Sequence, residues 1–262
     1  MKELIKALGS ACCMSLLTMG VSAQDANDLM LANGIGLLNV PYVAHTLDQG
    51  DQEELIVNCD EVDCTTFVEY ALAMSLCPME DGQIAEGDFI DNVQRVRYRD
   101  GKVNGYASRL HYITDWIDNG VRNGYLEDIT AQKSNYEQKV SVYYMTTHPS
   151  LYKQLTHSQE NVAAMKKVEE ALSKETYRYI PKDKLPTNGL PWIKSGDIIA
   201  ITTDIPGLDI SHMGIAFYVK GTLCLLHAST VSKKVVVSRT ALSQMLKEAE
   251  HWTGIRVVRI RK

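Results

Sequence analysis

The last seventy residues constrain the fold most. Gly196-Asp197-Ile198-Ile199-Ala200-Ile201 is an apolar run introduced by a turn, and Met213 to Val219, Leu223 to His227, Val235 to Val237 and Gly254 to Ile260 follow it. Pro206-Gly207 and Gly221 punctuate these runs, and such short apolar runs between turn residues are strands. Gly221 stands between the second and third runs, which predicts a hairpin and an antiparallel sheet. Upstream the period changes to that of a helix. Phe67, Val68, Ala71, Leu72 and Leu76 share one face; Phe89, Ile90, Val93 and Val96 mark a helix over Glu86 to Val96; Val162, Met165, Val168, Ala171 and Leu172 mark one over Glu160 to Leu172. Helices first and an antiparallel sheet last give the α+β class. A short helix is expected within Asp25 to Leu38, a short strand or buried strip at Leu55-Ile56-Val57, a strand over Gln138 to Met145, and an irregular connection over Thr176 to Leu190.

The chain of 262 residues is long enough for one large core or two modest ones. Its net charge of -5 argues against an extended nucleic-acid surface, which would be basic. Residues 1–23 have the form of a secretory leader: Lys2 and Lys6, an apolar or small stretch from Ala7 to Val21, and a small-residue cleavage site at Val21-Ser22-Ala23. Cys12-Cys13, with a leucine four residues before Cys12, also fits lipid attachment; soluble export to the periplasm is the preferred expectation. No other window approaches the 18 apolar residues of a membrane span. Export places Cys59, Cys64, Cys77 and Cys224 in an oxidising space. No Cys-x-x-Cys or clustered His/Cys spacing suggests structural zinc, and no cofactor is expected.

Val62-Asp63-Cys64-Thr65-Thr66-Phe67 puts a cysteine in a polar turn at the start of a helix. Unpaired N–H groups and the helix dipole favour a thiolate there. The competing reading is an inert buried cysteine. His212 begins one strand and His227 ends the next, and a hairpin centred near Lys220-Gly221 pairs position 212 with about 228 or 229. A thiol that attacks an amide needs a histidine to take and return a proton, and a third polar group to orient that histidine. Cys64, His212 and His227 fill those roles in that order. A histidine pair also suits a metal, with Asp204 and Asp209 as further ligands, but that reading leaves Cys64 unexplained. Asn104 to Trp116 gathers Arg109, His111, Tyr112 and Trp116 beside turn residues, either as a packed helix with Arg109 solvated or as a ligand wall. That helix would run to about Asn119.

Four segments together resemble the NlpC/P60 papain-like peptidoglycan hydrolases in order and rough spacing: Asp63-Cys64-Thr65-Thr66-Phe67, Ser195-Gly196-Asp197-Ile198-Ile199, Ser211-His212-Met213-Gly214-Ile215-Ala216 and Leu226-His227-Ala228-Ser229. Pro41-Tyr42-Val43-Ala44-His45-Thr46-Leu47, Asp63 to Glu69 and Ser108 to Tyr112 resemble more closely the DUF1460 branch, the N-acetylmuramoyl-L-alanine amidase-like proteins. The likeness covers essentially the whole mature chain. It implies one papain-like domain over 24–262, with the cysteine-bearing helix packed on the sheet and a helical inserted region at about 80–190.

It further implies Cys64 as nucleophile, His212 as base, His227 as orienting residue, and Tyr42 in the oxyanion environment. Substrate contacts are expected at His45, Asp63, Arg109, His111, Tyr112 and Trp116. His45 stands where many relatives carry glycine. The implied reaction cleaves the amide between N-acetylmuramic acid and L-alanine in muropeptides, by a chain expected to be a monomer. The alternatives are a stem-peptide endopeptidase cutting between D-glutamate and the diamino acid, a non-catalytic wall-binding module, and a metalloenzyme.

Overall fold

The computed structural model describes residues 25–79 and 83–261, so the expected leader lies outside the described residues. The chain begins with α1 (Ala26–Gly36), α2 (Cys64–Leu76), α3 (Glu86–Arg97) and α4 (Ile113–Arg122). A mixed region follows: β1 (Leu126–Asp128), α5 (Ile129–Lys133), β2 (Glu137–Lys139), α6 (Tyr144–Thr147), α7 (Lys153–Thr156), α8 (Gln159–Leu172), β3 (Thr176–Arg178) and β4 (Ile180–Pro181). The chain closes with β5 (Ile198–Thr203), β6 (Ile210–Val219), β7 (Thr222–Ser229), β8 (Lys234–Val237), α9 (Leu242–Glu248) and β9 (Trp252–Ile260). The α+β expectation stands: the main sheet runs β1-β9-β5-β6-β7-β8, each pair antiparallel, and β4 also pairs with β9.

The β6–β7 hairpin turns at Lys220-Gly221, both with positive φ, and pairs Val219 with Thr222 and Ile215 with Leu226. Residues of alternating parity leave on opposite faces of each strand. Ile198, Ala200, Met213, Ile215, Leu226 and Ala228 face α2, packing with Phe67, Val68, Ala71 and Leu72 in the main core. Ile199, Ile201, Ala216, Leu223 and Leu225 face the other way, onto Leu242 and Leu246 of α9. Each large aliphatic or aromatic side chain buried this way contributes about 1.5–3 kcal/mol. Two glycines permit close approaches. A Cβ on Gly34 of α1 would lie 2.6 Å from Ile215 Cδ1, and one on Gly196, at φ +89°, would lie 2.1 Å from the Asn27 carbonyl oxygen.

Three local expectations are sharpened. Leu55-Ile56-Val57 is the half-buried strip rather than the strand, with Leu55 and Val57 packed against the main core and side chains meeting the backbone in and beside it. Tyr98 donates to the Glu54 carbonyl at 3.0 Å, Arg97 donates to that of Ile56, and the Asn58 N–H donates to the Tyr70 hydroxyl at 3.0 Å. Gln138 to Met145 stops being a strand at Lys139. Val140, Val142 and Met145 still bury themselves, but against Leu155, Met165 and Tyr177, and the N–H groups of Tyr143 and Tyr144 go to the Gly207 carbonyl. Thr176 to Leu190 is more regular than expected, since β3 pairs with β2 and β4 with β9.

Candidate active site

The N-terminus of α2 is built by Asp63. Its carboxylate accepts from the N–H of Thr65 at 3.0 Å and of Thr66 at 2.8 Å, while the Thr66 hydroxyl accepts from the Asp63 N–H at 2.8 Å. This reciprocal capping box fixes Cys64 as the first helical residue. The same arrangement corrects the expected thiolate. The cap takes two of the helix's open donors, and its negative charge lies beside the sulfur. The Cys64 thiol is pushed up to about 12, first by burial and then by the Asp63 carboxylate, against the smaller opposing pull of the Met213 N–H and the Thr65 hydroxyl. Burial and the cap thus favour the protonated thiol at Cys64. It is half-buried and in no disulfide. Asp63, expected against substrate, is committed to the cap.

Tyr42 reaches this point by a short bridge. It pairs with Val62 in parallel, its N–H donates to the Lys233 carbonyl at 2.9 Å, and the Val43 N–H donates to the Val62 carbonyl at 3.0 Å. Burial first, then the neighbouring Cys64 and Asp63, raise its hydroxyl above the ordinary phenol range, so it stays a donor. His45, three residues on, is exposed and has φ +62°, a left-handed conformation that glycine adopts without strain.

β6 and β7 bring the two histidines together. His212 Nε2 and His227 Nδ1 are 2.7 Å apart, with the rings edge-on at 5.0 Å between centroids. Both rings are buried. Burial and the neighbouring His227 lower His212 to about 3; burial lowers His227 to about 4. Both are therefore neutral at pH 7. The strand that carries His212 packs on the helix that carries Cys64: Met213, next after His212, lies in the core with Phe67 and Val68 of α2. The sequence argument missed Trp252. The indole at the start of β9 lies nearly parallel to the His212 ring, 5.7 Å between centroids and 13° between planes. An aromatic opening the last strand was the available signal; which strand neighbours it was not.

The metal alternative finds no support in the carboxylates it invoked. Asp209 is buried and accepts from the N–H groups of Thr114 and Ile210, and Asp204 is exposed and pairs with His251 at 2.9 Å. Among the described residues no group of three or more His, Cys, Asp or Glu is placed to hold a metal ion.

Of the two readings of Asn104 to Trp116, burial favours the packed one. Trp116 is fully buried in the main core, and Tyr112 is buried with its hydroxyl donating to Glu169 at 2.7 Å. Arg109 is neither solvated nor open: it is buried, with Nη2 2.7 Å from Asp48 and Nε 3.2 Å from Glu53. Its guanidinium also covers the Tyr106 ring. His111 is half-buried on Tyr106, within 3.0 Å of that residue's carbonyl, and burial holds it well below the ordinary histidine range. This stretch is a packed strut. Arg109 ties it to the loop before Cys64, and apolar burial explains its aromatics better than ligand contact does.

A thiol on a helix N-terminus, set against a hydrogen-bonded histidine pair on an antiparallel sheet, defines a cysteine hydrolase. The AmiA-like family model, described as N-acetylmuramoyl-L-alanine amidase-like, matches residues 34–255, and the chain belongs to that family. An N-acetylmuramoyl-L-alanine amidase from Bacteroides uniformis ATCC 8492 has 60% identity over 91% of this chain and 100% of its own, with a TM-score of 0.89. A Bacteroides fragilis protein described as a xylanase has 64% identity over 87% of this chain and 99% of its own, with a TM-score of 0.85. A Legionella pneumophila protein assigned to DUF1460 shares the fold at 21% identity, with a TM-score of 0.66 over 90% of this chain and 89% of its own. No curated protein matches.

Proposed function

We propose that the chain is a cysteine-dependent amidase that cleaves the bond between N-acetylmuramic acid and L-alanine in muropeptides. The observation that carries this is the His212 Nε2–His227 Nδ1 bond at 2.7 Å. With its proton on Nε2 and donated to His227, neutral His212 keeps a lone pair on Nδ1 for the thiol proton. In this assignment His227 Nδ1 is the acceptor that holds the tautomer.

As the Cys64 sulfur attacks the lactyl carbonyl carbon, its proton passes to His212 Nδ1. The Cys64 N–H and the Tyr42 hydroxyl are the donors for the oxyanion. When the intermediate collapses, the C–N bond breaks, His212 returns the proton to the alanine nitrogen, and a muramoyl thioester stays on sulfur. His212 then takes a proton from water as its oxygen attacks the thioester carbon; the C–S bond breaks, the lactyl acid leaves, and His212 returns the proton to the Cys64 sulfur. Moving the proton only as the S–C bond forms avoids an isolated ion pair in a buried site, which its surroundings disfavour.

The family's amidase members and the sequence leader support action on exported cell-wall fragments, in the periplasm. The motifs at Tyr42, Cys64 and Arg109 support placement in the DUF1460 branch of NlpC/P60. The xylanase description of one relative raises glycoside hydrolysis as a second reading. That reaction needs two carboxylates facing one bond across roughly 5–9.5 Å. Here the carboxylate beside the thiol is spent on a helix cap.

Digestion of one defined muropeptide, with and without iodoacetamide, read by mass, tests the proposal. The amidase frees a sugar-terminated lactyl acid and an intact stem peptide, and alkylation stops it. A product cut within the stem, or release of reducing sugar from xylan, overturns it.

A further inference from the structure

His212 is held on two sides, and only one of them has been given a role. His227 meets its edge with a hydrogen bond. Trp252 lies along a face, nearly parallel and offset, 5.7 Å between centroids and 13° between planes. The indole belongs to a rigid frame. Trp252 pairs with Thr203 of β5, just past an irregularity in the register. Its neighbours are tied to the same strand: the Thr203 hydroxyl donates to the His251 carbonyl at 2.9 Å, and the Thr202 and Thr253 hydroxyls lie 2.7 Å apart. Trp252 itself is half-buried, packed against the cluster under α9. Its place is therefore set by the sheet before any substrate arrives.

We propose that Trp252 is a positioning residue for the thiol-activating imidazole: indole and His227 together fix the plane of His212, and the indole keeps water off the ring while it holds the transferred proton. A single hydrogen bond leaves a ring free to rock about its axis. A parallel aromatic face removes that freedom. The same apolar face desolvates the ring and so keeps His212 neutral until it takes the thiol proton. The titratable group that touches this ring is His227 from β7; Cys64 and Asp63 open α2, the helix packed on β6, and His251, next to Trp252 in the chain, lies 2.9 Å from Asp204. None of these replaces the indole as an apolar cover. The inference depends on His212 being the base.

The test compares wild type, Trp252→Phe, Trp252→Leu and Trp252→Ala in the full chain. Turnover of a defined muropeptide is measured across pH, and the His212 ring is titrated by NMR in the Cys64→Ala background. Trp252→Ala is expected to lower kcat at least tenfold with KM within twofold. It should also move the acid limb of kcat/KM, and the NMR midpoint of His212, upward by at least one pH unit. Trp252→Phe, which keeps a ring, should stay within about threefold of wild type, and Trp252→Leu should resemble Ala. Should Trp252→Ala fail to fold, Leu against Phe gives the same contrast. A loss confined to KM makes Trp252 a substrate wall and overturns the proposal. So does an unchanged His212 midpoint in both Ala and Leu variants. The NMR measurement needs no substrate, so it still decides this point if wild type proves inactive on muropeptides and the proposed function fails.

Discussion

Replacing Asp63 separates its two effects on the thiol. Asp63→Asn keeps a capping oxygen and removes the charge; Asp63→Ala removes both. A like charge roughly 6 Å away at an effective dielectric of 20 is worth about 3 kcal/mol. Both residues are half-buried, and solvent screening reduces this to on the order of 1.4 kcal/mol, one tenfold step in thiolate population. The wild-type thiol, pushed up to about 12, is ionised only about once in 10⁵ molecules at pH 7. Asp63→Asn should therefore react with iodoacetamide about tenfold faster at pH 7. Asp63→Ala should react at least as fast, because the freed Thr65 and Thr66 N–H groups then face the sulfur. Stability should order differently: Asn costs a few tenths of a kcal/mol and Ala about 1 kcal/mol, roughly 2–4 °C in Tm. The readouts are the alkylation rate by mass and thermal unfolding. An Asp63→Asn rate equal to or below wild type would show that the carboxylate does not hold the thiol protonated.

Cys64→Ala should abolish stem-peptide release with the fold intact, and His212→Ala should cost more turnover than His227→Ala, because orienting is easier to replace than proton transfer; matched rate measurements check the order. The base must be neutral, and burial lowers His212 to about 3, so kcat/KM should stay level from neutral pH down to about 4 and fall only below that; an acid limb near 6.5 would refute the assignment. Iodoacetamide inactivation should rise about tenfold per pH unit from 7 to 10 without levelling, since the thiol titrates near 12. Glu69→Ala strands the fully buried Arg97, whose Nε lies 2.7 Å from that carboxylate, and should cost about 3–5 kcal/mol of unfolding free energy in denaturant titration.

The strands of the closing sheet, the hairpin at Lys220-Gly221 and the helix that begins at Cys64 were legible from the chain, because each is set by local periodicity and turn chemistry. So was the proximity of His212 and His227, which follows from hairpin pairing. What local sequence cannot encode is which distant group consumes a donor or covers a face. Arg109 looked available until the fold brought Asp48 and Glu53 to it, and Trp116 looked like a platform until the core closed over it. The charge state of Cys64 was misjudged for the same reason. A helix start favours a thiolate, yet burial and the capping carboxylate outweigh it. The sequence by itself determined the class of fold and the residue types of the site. Only the tertiary structure decided that thiol and imidazoles rest neutral and that Trp252 lies on the base, because desolvation and long-range packing exist only once the chain has closed on itself.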